Sequence, residues 1–133
     1  MTDESSEHTG GCLCGGVRYA IKGPLREVHA CHCSQCRRTS GHYAAFTRAP
    51  AENIQLESSD SLTWFRSSVA AERGFCRICG GNLFWRELDS SATCVSAGTL
   101  DPPTGIKVDQ HIFVADKGDY YALDDDLPKP AAW

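Results

Sequence analysis

Apolar and polar residues alternate in short runs along most of this chain, and no stretch keeps a 3.6-residue period long enough for a sustained helix. From Cys12 to Ile21 the alternation puts Val17, Tyr19 and Ile21 on one face, and Gly23-Pro24 closes the run as a turn. A second strand is expected over Arg26 to Cys33. Residues 34–40 (SQCRRTS) read as one helical turn ended by Gly41, a residue suited to the left-handed position that follows a helix. Strand-like runs follow at His42–Thr47, Asn53–Glu57, Ser61–Arg66, Val69–Phe75, Asn82–Leu88 and Ala92–Ala97, with polar or proline-containing breaks between them. After a break at Gly98–Gly105 that holds Pro102-Pro103, His111–Ala115 reads as the last full strand. The pattern predicts an all-β domain with Trp64, Phe84 and Trp85 in its core.

A length of 133 residues suits a single domain, expected over 10–133 behind a polar, disordered tail at 1–9. The far end, Asp124–Pro130, is acidic and by composition solvated. The first ten residues have no apolar core of a signal peptide, and no apolar run approaches the roughly 18–20 residues of a membrane span. These features point to a cytoplasmic protein with no membrane partner, whose eight cysteines stay reduced and are better used on metal than in disulfides. The formal charge of −4 counts the thiols as neutral; seven of them deprotonated on two Zn²⁺ ions would bring it to about −7, which gives no footing for nucleic acid.

The cysteines fall in clusters. Cys31-His32-Cys33-Ser34-Gln35-Cys36 places three thiols within six residues. On an extended backbone Cys31 and Cys33 share a side while His32 points away, and a turn through Ser34 and Gln35 returns Cys36 to the same point. Three sulfurs about 2.3 Å from one zinc would leave the fourth position open. Cys12-Leu13-Cys14 repeats the strand argument, with Leu13 facing the core, and Cys76-x-x-Cys79 has the spacing of a zinc knuckle. Each pair is followed by two glycines, Gly15-Gly16 and Gly80-Gly81, whose tolerance of positive φ lets N–H groups turn toward sulfur. Two plus two makes a closed four-thiolate site. Spacing leaves the partners open, because Cys76 and Cys79 could instead join two of the Cys31, Cys33 and Cys36 thiols, and either pair could be a redox couple or simply buried.

Cys94 sits in a β-type run with no partner at ligand spacing and reads as a core thiol, the alternatives being a fourth ligand or a resolving thiol. Arg37-Arg38 could hold the carboxylates of an anionic substrate, or could be a solvated pair that offsets thiolate charge. His29, His42 and His111 stand isolated and read as surface or core residues. A zinc ion on three thiolates carries a net −1 and acidifies water less than a three-histidine site does. A soft external thiol suits it better, because the bound thiolate keeps nucleophilicity for a carbonyl. The chemistry points to thiol handling rather than hydrolysis.

Gly11-Cys12-Leu13-Cys14-Gly15-Gly16-Val17-Arg18-Tyr19, Cys31 to Gly41, Phe75-Cys76-Arg77-Ile78-Cys79-Gly80, Ser96 to Asp101 and His111-Ile112-Phe113-Val114 together resemble the glutathione-dependent formaldehyde-activating (GFA) family, whose eukaryotic branch is centromere protein V. The likeness runs from about residue 10 to Pro128. It implies a β-tent of packed antiparallel sheets, a structural zinc on Cys12, Cys14, Cys76 and Cys79, and a catalytic zinc on Cys31, Cys33 and Cys36. It also implies that Asp126-Leu127-Pro128 is the family's usual ending. The implied activity is a carbon–sulfur lyase reaction that joins glutathione and formaldehyde as S-hydroxymethylglutathione. Two other readings compete: a non-catalytic zinc module with Cys94 as fourth ligand, and a thiol oxidoreductase that uses Cys94.

Overall fold

A computed structural model describes residues 6–133; residues 1–5, part of the expected disordered tail, lie outside the described residues. The first strand, β1 (Glu7–Gly11), already includes three residues assigned to that tail, because it pairs in antiparallel register with β2 (Arg18–Lys22). With β5 (Ile54–Ser58) these strands form a small sheet in the order β1-β2-β5. The larger sheet contains β3 (Val28–Cys31), β4 (Ala44–Pro50), β6 (Leu62–Arg66), β7 (Ala71–Cys76), β8 (Asn82–Glu87), β9 (Ala92–Ser96) and β10 (Val108–Ile112), in the order β10-β3-β4-β9-β8-β7-β6. Among the described residues one helix is longer than a single turn, α1 (Ser34–Ser40), between β3 and β4. The domain is all-β, as the alternation predicts.

Two features depart from the sequence pattern. The β10–β3 pair is parallel, so the sheets are not wholly antiparallel. Parallel pairing needs a long crossover, and the chain between β3 and β10 supplies one. The expected strand over Cys12–Ile21 is also interrupted, since Cys12 N–H donates to Val17 O (3.1 Å) and Gly15 N–H to Cys12 O (3.2 Å), which makes a loop between β1 and β2. Leu13, expected in the core, is 94% exposed, because the loop turns the sulfurs of Cys12 and Cys14 toward each other and away from it.

Register divides the large sheet into two faces. Thr47 pairs with Val95, Val95 with Phe84 and Phe84 with Gly74, and this row points into the core with Val17, Tyr19 and Ile21 and with Leu83 of β8, which sits at a register shift beside Phe84. Burying each large aliphatic or aromatic side chain in this way stabilises the fold by about 1.5–3 kcal/mol. A Cβ on Gly10 would run into the Thr99 carbonyl and the Tyr19 ring, so glycine there lets the small sheet close on the Thr99 turn. The row one residue out of step is Arg48↔Cys94, Cys94↔Trp85, Trp85↔Arg73 and Arg73↔Phe65, and side-chain alternation sends it to the opposite face. Of the aromatics expected in the core, Phe84 is buried, Trp64 is half-buried and stacks on it (6.0 Å), and Trp85 belongs to the other face.

The C-terminal stretch is docked rather than solvated. β10 ends at Ile112 because Phe113 takes a left-handed conformation (φ 55°), and a 3₁₀ turn occupies Val114–Asp116 in place of the strand expected to reach Ala115. Phe113 N–H then donates to Ala132 O (2.7 Å) and His111 N–H to Pro128 O (2.9 Å).

Candidate functional site

The structure gathers the cysteines into two separate groups, Cys12/Cys14/Cys76/Cys79 and Cys31/Cys33/Cys36, with the sulfurs of each group within 4.8 Å of one another. Cys12 Sγ lies 3.7 Å from Cys14 Sγ, which lies 3.6 Å from Cys76 Sγ. Four sulfurs about 2.3 Å from a central zinc stand about 3.8 Å apart, so the first group fits a tetrahedral zinc-sized ion. N–H groups point at the sulfurs, from Val17 to Cys12 (3.3 Å), Gly16 to Cys14 (3.4 Å) and Cys79 to Cys76 (3.5 Å). The Cys79 N–H, helped by the Ser61 hydroxyl, lowers the Cys76 thiol to about 6 and favours the thiolate a metal needs.

In the second group Cys31 ends β3 and Cys33 caps α1, with Cys33 Sγ accepting from Cys36 N–H (3.3 Å). Gly41 closes the helix at φ 79°, as expected, and α1 carries Cys36 back over the strand end. Hydrogen bonds from the Cys31 and Cys36 thiols hold the Cys33 thiol far below its ordinary value. The bond to Cys33 and burial push the Cys31 thiol up. Two of the three sulfurs are buried and no fourth cysteine joins them among the described residues.

His32 turns away from the sulfurs, as strand geometry requires, and is fully buried. Its Nδ1 is hydrogen-bonded to the Tyr121 hydroxyl and its Nε2 to His111 Nδ1 (2.9 Å), while His111 Nε2 reaches Asp125 (2.8 Å). Burial lowers His32 to about 4, so it stays neutral in this chain of bonds. The histidines read as isolated are all engaged, since His42 Nδ1 meets the Tyr120 hydroxyl (2.6 Å) and His29 Nε2 meets Gln110 (3.1 Å).

A cavity of about 270 Å³ opens over Cys31, Cys33 and Cys36. Its walls come from the sheet face opposite the core, with Arg48, Cys94, Trp85 and Arg73 from the cross-strand row, Arg26, and Phe113 and Trp133 at the C-terminal side. Arg37 and Arg38, the arginines favoured by their place after Cys36, do not line it; Arg38 borders a shallower neighbouring pocket with Phe65. Arg26, Arg48 and Arg73 are the arginines that line the main cavity. The parity of Arg48 with Cys94 and of Arg73 with Trp85 carried that signal, but only once strand pairing was known. Cys94 is a cavity-wall residue rather than a core thiol, and burial raises its thiol, which does not suit a low-pKa redox cysteine.

An all-β domain with one closed four-cysteine site and one three-cysteine site facing a cavity has the makings of a cysteine-metal protein that acts on a small ligand. The profile of the family described as glutathione-dependent formaldehyde-activating enzyme matches residues 7–116, and the chain belongs to that family. Proteins of Aspergillus flavus and Aspergillus oryzae, provisionally named for the same activity, are each 36% identical to it over 83 residues, 59% of this chain. The chain spans only 44% of the length of those two relatives. An uncharacterised lyase of Schizosaccharomyces pombe is 27% identical over 117 residues, covering 86% of this chain and 84% of its own. A crystal structure of a Rhodobacter sphaeroides protein shares the fold, with a TM-score of 0.61 at 22% identity over 75% of this chain and 98% of its own. No helix among the described residues is long and apolar enough to cross a membrane.

Proposed function

We propose that this protein is a zinc-dependent carbon–sulfur lyase of the GFA type, with a glutathione-like thiol and a small aldehyde such as formaldehyde as its reactants. The observation that carries this reading is the three-thiol cluster facing a cavity, with no fourth cysteine in reach. Cys12, Cys14, Cys76 and Cys79 would hold a structural zinc and Cys31, Cys33 and Cys36 the catalytic one, on a fold we read as a β-tent. Zinc bound to three thiolates supplies a Lewis-acidic fourth position that favours a soft thiolate over water.

The chain's own residues do the rest. Arg26 and Arg48 give the cavity positive charge for the carboxylates of a glutathione-like thiol. Trp85, Phe113 and Trp133 give it apolar walls that limit water around the reacting atoms. In the forward direction the thiolate sulfur attacks the aldehyde carbon, a carbon–sulfur bond forms, and the carbonyl electron pair moves to oxygen, which takes a proton from solvent. The reverse breaks the same bond. A reducing cytoplasm suits a chain whose eight cysteines are all free.

A non-catalytic zinc module would need a fourth protein ligand at the second site, and Cys94, the candidate for it, stands outside that cluster. Exchange NMR of glutathione with ¹³C-formaldehyde tests the lyase reading, because adduct forms spontaneously and catalysis must exceed that background. The zinc-loaded protein should speed exchange and Cys36→Ser should not; exchange at the background rate with both would overturn the reading.

A further inference from the structure

Arg73 is the least satisfied charged group of the site. It is 8% exposed, lies on β7 between Phe65 and Trp85, and borders both the main cavity and the shallower pocket beside it. Its Nη2 donates to Cys36 Sγ (3.7 Å), its Nε is buried without a hydrogen-bond partner, and it forms no ion pair with a carboxylate among the described residues. On the opposite face of the same hairpin Arg86 is fully engaged, with Glu72 at 2.7 Å and the Trp64 ring at 3.7 Å. A buried guanidinium with one weak sulfur contact is costly unless an anion completes its shell.

One thiolate offsets the charge but uses a single donor of five. A ligand sulfur completing a tetrahedron with Cys31, Cys33 and Cys36 would stand about 3.8 Å from Cys36 Sγ, the same separation that Arg73 Nη2 already has from that atom. The ligand sulfur and the guanidinium would then be neighbours of the same Cys36 sulfur, on the wall of one cavity.

We propose that Arg73 forms an oxyanion site beside the three-cysteine cluster, which binds an anionic oxygen one or two carbons away from the substrate sulfur. This rests on the thiol-and-aldehyde reading and gives it a specific donor. As the carbon–sulfur bond forms, the aldehyde oxygen becomes an alkoxide and meets Arg73; on cleavage the same donor holds the alkoxide whose electron pair expels the thiolate. The site also defines a ligand class, the α-mercaptocarboxylates, whose carboxylate stands one carbon farther from the sulfur than the alkoxide and offers two oxygens to the same guanidinium.

The test compares mercaptoacetate with ethanethiol, a neutral thiol of the same reach, by titrating each into cobalt-substituted protein and following the sulfur charge-transfer bands. Wild-type protein should bind mercaptoacetate about ten- to hundred-fold more tightly, the range of one charge-assisted hydrogen bond. Arg73→Met should erase that preference by lowering mercaptoacetate affinity far more than ethanethiol affinity, an outcome that a purely structural role would not give. Should the Met variant lose cobalt, Arg73→Lys keeps a charge beside Cys36 but not the second donor, and should lower the preference at least threefold. Equal binding of the two thiols to wild-type protein, an unchanged preference in Arg73→Lys, or an equal loss of both thiols in Arg73→Met would overturn the oxyanion site alone. A wild-type spectrum unmoved by either thiol would overturn the thiol reading as well.

Discussion

Cys14 Sγ and Cys76 Sγ lie 3.6 Å apart across 62 residues of sequence, and this contact ties the loop after β1 to the end of β7. Ser61 joins the same junction, with its hydroxyl 3.2 Å from Cys76 Sγ. A structural zinc contributes about 10–16 kcal/mol in small domains, as much as the whole stability of a typical fold, about 5–15 kcal/mol.

Stripping the metal should therefore unfold the protein. With a strong chelator, or in Cys76→Ser, the near-ultraviolet circular dichroism should collapse and cooperative thermal unfolding should vanish. A Cys76→Ser protein with a native spectrum and an unshifted melting transition would contradict the stapling role.

Tyr19 gives the stability a defined alkaline limit. It is 1% exposed, its hydroxyl is 2.7 Å from Thr99 Oγ1, and burial pushes its pKa from 10 to about 12. Between those values the unfolded chain releases the phenol proton and the folded chain keeps it, so this contribution is fully present below pH 10 and is lost as pH rises toward 12. Tyr19→Phe should cost about 0.5–1.5 kcal/mol at pH 7 through the lost hydrogen bond. Its deficit relative to wild type should shrink or reverse by up to roughly 2–3 kcal/mol over the alkaline window, as urea unfolding at a series of pH values would read. Parallel wild-type and Tyr19→Phe curves above pH 10 would contradict it.

Cys94 pairs with Trp85 and Arg48 across the sheet and has no place in either thiol cluster. Cys94→Ser should leave the metal content at its wild-type value and the d–d bands of the cobalt protein unchanged. Loss of one ion would make Cys94 a ligand and close the second site.

The alternation at Val17, Tyr19 and Ile21 was legible because each apolar residue of that strand meets the core, and the helical turn over 34–40 was legible because Gly41 marks its end. The cysteine spacing named the members of both clusters but not their pairing, which depends on the loop that brings Cys12 and Cys14 to Cys76. The family resemblance supplied that pairing. Cys94, Trp85, Arg48 and Arg73 escaped because alternation says which residues share a face, and only the strand order says which face looks onto the cavity. The His32–His111–Asp125 chain escaped for a related reason, since it needs a parallel pair between β3 and β10 and a docked C-terminal segment, neither of which has a local signal.

The central claim is that the three-cysteine site is open and takes a thiol. Glutathione titrated into the cobalt-substituted protein tests it most directly, with the ligand-field and sulfur charge-transfer bands as the readout. An open site should give a saturable change that Cys33→Ser abolishes. Bands at both cobalt sites that stay fixed through saturating glutathione would contradict it.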